Sequence, residues 1–187
     1  KKKKKFFDIY YTGNLGYGQN FSNIIKIFND DEILKNNIRL IIYGSGKNFL
    51  KLKNKIKYQN LKNVLIYKSV SPIKLNRILR SADCFFLKLN DGVGLSKTIP
   101  AKFQTYLSFG KPILSVNNGI VSRYVAKYQI GLCVQNEKMN DIKNKILKLK
   151  NLSNSKLKKI AKNCEKLFYQ KFEINISCNN LKKKLEK

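Results

Sequence analysis

Three short stretches of the chain combine residue types that suit the binding of a phosphate-like anion. In Thr12-Gly13-Asn14-Leu15-Gly16-Tyr17-Gly18-Gln19 the glycines let a ligand approach the backbone, and the helical spacing that follows would offer the unpaired N–H groups of a helix start. The same pattern also serves simply to turn a strand into a helix. Gly44-Ser45-Gly46 is a shorter turn of this kind, for which chain reversal is the simpler reading. The third stretch, Ser96 to Tyr106 (SKTIPAKFQTY), places Lys97 and Lys102 around a helix that starts at Pro100, with Gln104, Thr105 and several hydroxyls on the same sheet edge. A lysine in the first turn of a helix opposes the helix dipole. Lys102 therefore calls for a counter-charge, and a bound anion would supply it.

Other chemistry is excluded by what the chain lacks. It has no His, so a Ser-His-Asp or Cys-His site and any His-ligated metal are ruled out within it. Cys84, Cys133, Cys164 and Cys178 lie far apart with no C-x-x-C. Cys84 and Cys133 sit in apolar stretches and read as reduced core residues, which fits a reducing cytoplasm. No D-x-D occurs, and Asp30-Asp31-Glu32 reads as a solvated cap at the end of a predicted helix. No metal or other cofactor is expected.

The 39 Lys and Arg against 11 Asp and Glu give a formal net charge of +28, with 43% hydrophobic residues. That apolar share allows a packed core and argues against a disordered basic tail. The lysines run from Lys1 to Lys187, and the arginines are only Arg39, Arg77, Arg80 and Arg123. The pattern reads as a lysine-rich solvated surface that attracts anionic lipid headgroups or polyanions. A nucleic-acid-binding domain is the rival class. It requires exposed aromatics among the basic residues, whereas Phe21, Phe28, Phe85 and Phe86 fall on predicted buried faces. The opening KKKKKFFDIYY begins like a signal peptide, but its apolar part is short and contains Asp8. No apolar run approaches the roughly 18 residues that span a membrane. The chain starts at Lys1 and its only Met is Met139, so it is expected to be a piece of a longer polypeptide.

The elements that must position these residues follow from periodicity. Strands are predicted at Phe7 to Thr12, Arg39 to Tyr43, Val64 to Tyr67, Asp83 to Leu89, Pro112 to Val116 and Gly131 to Val134. Helical spacing connects them: Phe21 to Phe28, a stretch to about Tyr58, a helix opened by Ser71-Pro72, Pro100 to Ser108 ending at Gly110, and Ile120 to Tyr128. Two lysine-rich helices close the chain, at about Met139 to Leu149 and Ser153 to Tyr169, and the tail to Lys187 has room for one more. Short, largely apolar strands that alternate with helices predict an α/β fold, a doubly wound parallel sheet of about six strands (Rossmann-like). One domain over 1–187 is expected, with a core of about 7–149, C-terminal helices over 150–187, and a ligand at the carboxyl ends of the strands.

The order GNLGYGQN, RLIIYGSG, NVLIYKSVSPIKLNRILRSADCFFL, TIPAKFQTYLSFGKPIL and GIVSRYVAKYQIGLCV resembles the C-terminal domain of GT-B glycosyltransferases of family 4. The resemblance covers about Phe7 to Leu149. Its most specific part, Pro100 to Pro112, is similar to the P-[SA]-K-x-x-[EST]-Y-x-x-x-G-K-P pattern of the amino-sugar transferases of O-antigen and capsule pathways. The resemblance implies a retaining transferase whose present half binds a nucleotide-sugar, by default a UDP-sugar, while a missing N-terminal domain binds the acceptor. It implies that Gly13, Asn14, Leu15 and Gly16 face the donor diphosphate, that Lys68, Ser69 and Val70 lie near the base, and that Asp83 matches an acid after the next helix. Gly44, Pro100, Gln104 and Thr105 complete the implied donor site, and Lys97 and Lys102 are the candidates for stabilising the departing diphosphate. Relatives often carry Arg and Lys after the glycine loop, where this chain has Gln19. They also carry a Glu pair where this chain has Lys97 and Thr105. A lipid-linked acceptor would place the protein peripherally at the inner face of the plasma membrane. A non-catalytic remnant, or a subunit of a split transferase, is the alternative within the same fold.

Overall fold

The computed structural model describes residues 4–16, 21–88, 98–116 and 119–173. Among these, six parallel strands form one sheet: β1 (Phe7–Asn14), β2 (Ile38–Ser45), β3 (Val64–Lys68), β4 (Cys84–Lys88), β5 (Ile113–Val116) and β6 (Gly131–Val134). Their spatial order is β3-β2-β1-β4-β5-β6. The order reverses between β1 and β4, the place where doubly wound sheets hold ligands. Helices α1 (Ile24–Ile27), α2 (Asp31–Lys35), α3 (Phe49–Tyr58), α4 (Pro72–Leu79), α5 (Ala101–Ser108), α6 (Ile120–Lys127), α7 (Met139–Lys150) and α8 (Asn154–Lys171) connect and follow the strands.

Strand alternation divides the core into two layers. Ile9, Tyr11, Leu40, Ile42, Phe86 and Leu114 pack with α1, α2, α3 and α7. Tyr10, Ile41, Phe85, Leu87 and Ile113 pack with α4, α5, α6 and α8. Both faces of the sheet are therefore apolar, which is why its strands lack the polar alternation of a one-sided sheet. The four phenylalanines expected inside are there: Phe21 is 2% exposed, and Phe28, Phe85 and Phe86 are fully buried.

Three local expectations change. The spacing from Phe21 to Phe28 gives only the four-residue α1, and a second short helix, α2, follows at once. Asp30 caps the start of α2, its side chain accepting from the Glu32 N–H at 3.0 Å. The acidic cluster thus opens a helix instead of closing one, as the helix dipole favours. The third change is at the C-terminal end. Helix α8 lies outside the expected core, yet Ile160, Cys164 and Leu167 are buried in the layer that holds α5. The tail near Ile174 to Leu185, where an apolar face toward another domain is expected, is outside the described residues.

Candidate functional site

Strands β1 and β4 pair only at Ile9 with Cys84 and Tyr10 with Phe85. Beyond that point β1 stays on β2 as far as Asn14 and β4 stays on β5 as far as Lys88, so a gap opens between the two central strands. Tyr106 of α5 fills its base. The phenol accepts the backbone N–H of Thr12 at 2.9 Å, lies 3.1 Å from the Thr12 hydroxyl, and stacks on Phe85 with centroids 4.2 Å apart. The strand N–H that lacks a ladder partner is thus satisfied by a side chain. Burial pushes the Tyr106 phenol up to about 12, so it stays neutral.

One helical turn before Tyr106, Lys102 uses the same gap. Its ammonium reaches Tyr11, whose ring belongs to the opposite layer, and donates to the Tyr11 hydroxyl at 2.8 Å from 4.1 Å above the ring centre. The Tyr11 hydroxyl in turn donates to the Asn14 carbonyl at 2.7 Å. Among the described residues no carboxylate pairs with Lys102. Burial alone lowers its pKa from 10.5 to about 8. Gly13 lies directly beneath: a Cβ at that position would be 3.1 Å from Lys102 Nζ, and its φ of +117° suits only glycine. A cation, a glycine backbone and the start of α5 therefore meet at the carboxyl end of β1.

The glycine loop is held from behind. Leu15 is buried and its N–H donates to the Ser45 carbonyl at 2.7 Å, while Asn48 donates to the carbonyls of Leu15 at 3.0 Å and Gly16 at 3.1 Å. The Leu15 N–H is therefore committed to the end of β2. Gly44 belongs to the same packing. It is buried, and a Cβ there would strike the Gly13 carbonyl oxygen, so its role is to let the two turns pack. The Asn14 side chain lies against both Gly16 and Gly46.

The other implied residues are distributed as follows. Lys68 and Ser69 are exposed beside Gly44, with the Ser69 N–H donating to the Gly44 carbonyl at 3.1 Å, and Val70 is half-buried. Tyr67 stacks on Tyr43 at 4.9 Å and gives this edge an exposed aromatic that the sequence reading passed over. Pro100 is the extended residue before α5, and Gln104 is half-buried. Thr105 is exposed and its hydroxyl donates to the Ala101 carbonyl at 3.3 Å. Gln19 and Lys97 lie outside the described residues. Asp83 sits at the amino end of β4, accepting the Asp8 N–H at 2.8 Å, and so is far from the gap in the order of the strand. A buried cation unforeseen in the sequence, Lys88 at the end of β4, pairs with Glu137. Among the described residues no group of three His, Cys, Asp or Glu side chains is placed to hold a metal ion.

The sequence model of the glycosyl transferases group 1 family matches residues 1–167. The chain belongs to that family. No curated protein matches the sequence. Among solved structures, a TarM variant from S. aureus, in complex with fondaparinux, alpha-GlcNAc-glycerol and UDP, is 16% identical with a TM-score of 0.75 over 96% of this chain and 35% of TarM. HepE from Anabaena, in complex with UDP-glucose, is 14% identical with a TM-score of 0.75 over 97% of this chain and 49% of HepE. The C-terminal domain of the LpcC protein from Francisella tularensis is 14% identical with a TM-score of 0.68, over 90% of this chain and 87% of that domain. These solved structures share the fold of this chain, that of the GT-B glycosyltransferases, and this chain spans about a third to a half of the length of TarM and HepE.

Proposed function

We propose that this chain is the donor-binding half of a retaining glycosyltransferase of family 4, in the amino-sugar branch that builds O-antigen and capsule. It takes a nucleotide-sugar, with UDP as the nucleotide, and passes the sugar to a lipid-linked or glycan acceptor held by a domain outside this chain. The site needs no metal, and the protein works in the cytoplasm at the inner face of the plasma membrane. The observation that carries the reading is Lys102: a half-buried ammonium whose only partner among the described residues is a phenol, resting on Gly13 at the sheet's switch point. The UDP and UDP-glucose complexes of TarM and HepE support a uridine diphosphate there.

The chemistry asks for such a group. When the bond from the sugar to the diphosphate breaks, negative charge gathers on the β-phosphate, and a preorganised cation in a partly dry site stabilises that charge more than it stabilises the ground state. Lys102 is held ready by Tyr11 and by the Tyr106 anchor, so it need not reorganise during the reaction. Titration calorimetry of the chain with UDP tests the reading. Saturable binding that the Lys102→Ala variant loses in large part is expected. No nucleotide affinity in the parent chain would favour the remnant reading, and binding of a DNA oligomer in its place would favour the nucleic-acid reading.

A further inference from the structure

Two of the most exposed apolar side chains among the described residues lie on one helix. Leu50 is 67% exposed and Tyr58 is 91% exposed, at either end of α3. Phe49, Leu52 and Ile56 fix the buried side of that helix. At 100° per residue, Leu50, Asn54 and Tyr58 then straddle the direction that points straight out from the sheet, spread over about 12 Å of helix. Lys51, Lys53 and Lys57 are exposed around them, Lys47 and Lys62 flank the helix, and residues 47–62 contain no Asp or Glu. On the same layer, Asp30 and Glu32 are already engaged by Lys143 at 3.1 and 3.6 Å.

We propose that the outer face of α3 is a docking surface for an anionic lipid bilayer, with the lysines at the headgroups and Leu50 and Tyr58 dipping into the interface. The composition selects the partner. An aliphatic residue and a tyrosine ringed by lysines match the interfacial zone of a bilayer, where apolar contact and headgroup charge act together. An isolated leucine adds nothing to phosphate-backbone contact with a nucleic acid. The placement suits the site as well. Helix α3 lies on a face of the sheet, so docking through it leaves the carboxyl edge, where Lys102 sits, open along the membrane plane. The inference rests on the proposed function only for the reason a bilayer matters, because the binding surface itself is independent of nucleotide.

The chain has no tryptophan, so a single one reports its own surroundings. Leu50→Trp, Tyr58→Trp and, on α8, Tyr169→Trp would each be mixed with vesicles of equimolar phosphatidylglycerol and phosphatidylcholine, and with phosphatidylcholine alone. Blue-shifted emission and quenching by brominated acyl chains are expected at 50 and 58, only with the anionic vesicles, and not at 169. Replacing Lys51, Lys53 and Lys57 together by Gln should lower vesicle partitioning on the order of 100-fold, about fivefold for each lysine. The matched change of Lys156, Lys159 and Lys166 on α8 should lower it far less. Far-UV circular dichroism and UDP titration of the α3 variant show that fold and donor site are intact, which separates failure here from failure of the proposed function. No spectral shift at 50 and 58, a shift at 169 alone, equal losses from both lysine sets, or binding abolished by competing DNA at unchanged lipid would each overturn the proposal.

Discussion

At the amino edge of the sheet, Asp8 holds the Arg39 guanidinium through contacts of 2.8 and 3.1 Å and the Lys4 ammonium at 3.1 Å, while Asp83 takes Lys4 at 2.6 Å. At the carboxyl edge, Lys102 has a tyrosine hydroxyl and a ring face. Both places are partly buried, so the difference lies in the partners. A chain with 11 acidic residues against 39 basic ones places two of those acids where they close a structural network, and among the described residues it sets none against the cation at the switch point. A buried charge without a counter-charge is costly to the folded state. On the proposed function the cation at the carboxyl edge serves a ligand, whereas the satisfied cluster at the amino edge serves the fold.

The comparison breaks most severely at Gly13. Gly13→Val puts a branched side chain at a φ of +117° and against the Lys102 ammonium. It should abolish UDP binding in calorimetry and also lower the melting temperature, because left-handed backbone costs a β-branched residue about 1–3 kcal/mol. Next comes Lys102→Ala, expected to weaken UDP binding by about 1.5–3 kcal/mol, the scale of a hydrogen bond to a charged group, with no loss of stability. Exposed Lys156, replaced in the same way, should change neither quantity. Asp8→Asn is the mirror image: a denaturation midpoint lowered by the equivalent of about 1.5–3 kcal/mol, with UDP affinity kept.

The smallest effect is a pH dependence. Lys102 stands at about 8 in the folded chain against 10.5 when solvated, and a bound diphosphate would draw it upward again. Above pH 8 binding then requires proton uptake, so UDP affinity should fall by up to tenfold per pH unit. Between about 8 and 10.5 the unfolded chain binds more protons at this residue than the folded one. The contribution of Lys102 to stability therefore rises with pH across that window. Lys102→Met should erase both dependences, which titrations in buffers of different ionisation enthalpy and melts over the same pH range would show.

Much of the scaffold was legible because its signals are local. Gly110 takes the left-handed conformation, at a φ of +62°, that its place after α5 demanded. Pro72 opens α4 where it was expected, although the Ser71 side chain makes no capping hydrogen bond, and each strand end lies within two residues of the apolar run that marked it. Lys102 was legible for a physical reason, its charge at a helix start. Tyr11, Thr12 and Tyr106 were not, since the contacts that give them roles join residues 91 and 94 positions apart. A tyrosine four residues after a lysine signals a shared helix face and nothing about what lies across from it. Gly44 stayed open between two readings because a glycine that admits another backbone and a glycine that admits a ligand look alike in sequence.

The seating of α8 on α5 carries a consequence for how the site comes into being. Phe103 meets Phe172 with ring centres 5.9 Å apart, and Ile160, Cys164 and Leu167 complete the layer that covers Phe103 and Leu107. During synthesis the strands and the glycine loop leave the ribosome first, but α5 gains its outer cover only when residues some sixty positions later have emerged. Until then the lysine-bearing helix has an open apolar flank, and the loop and its cation have no fixed distance between them. A nascent chain halted before Ile160 should therefore already have a sheet and still bind no nucleotide. Among the described residues, the helix made last is the one that sets the first loop's partner in place.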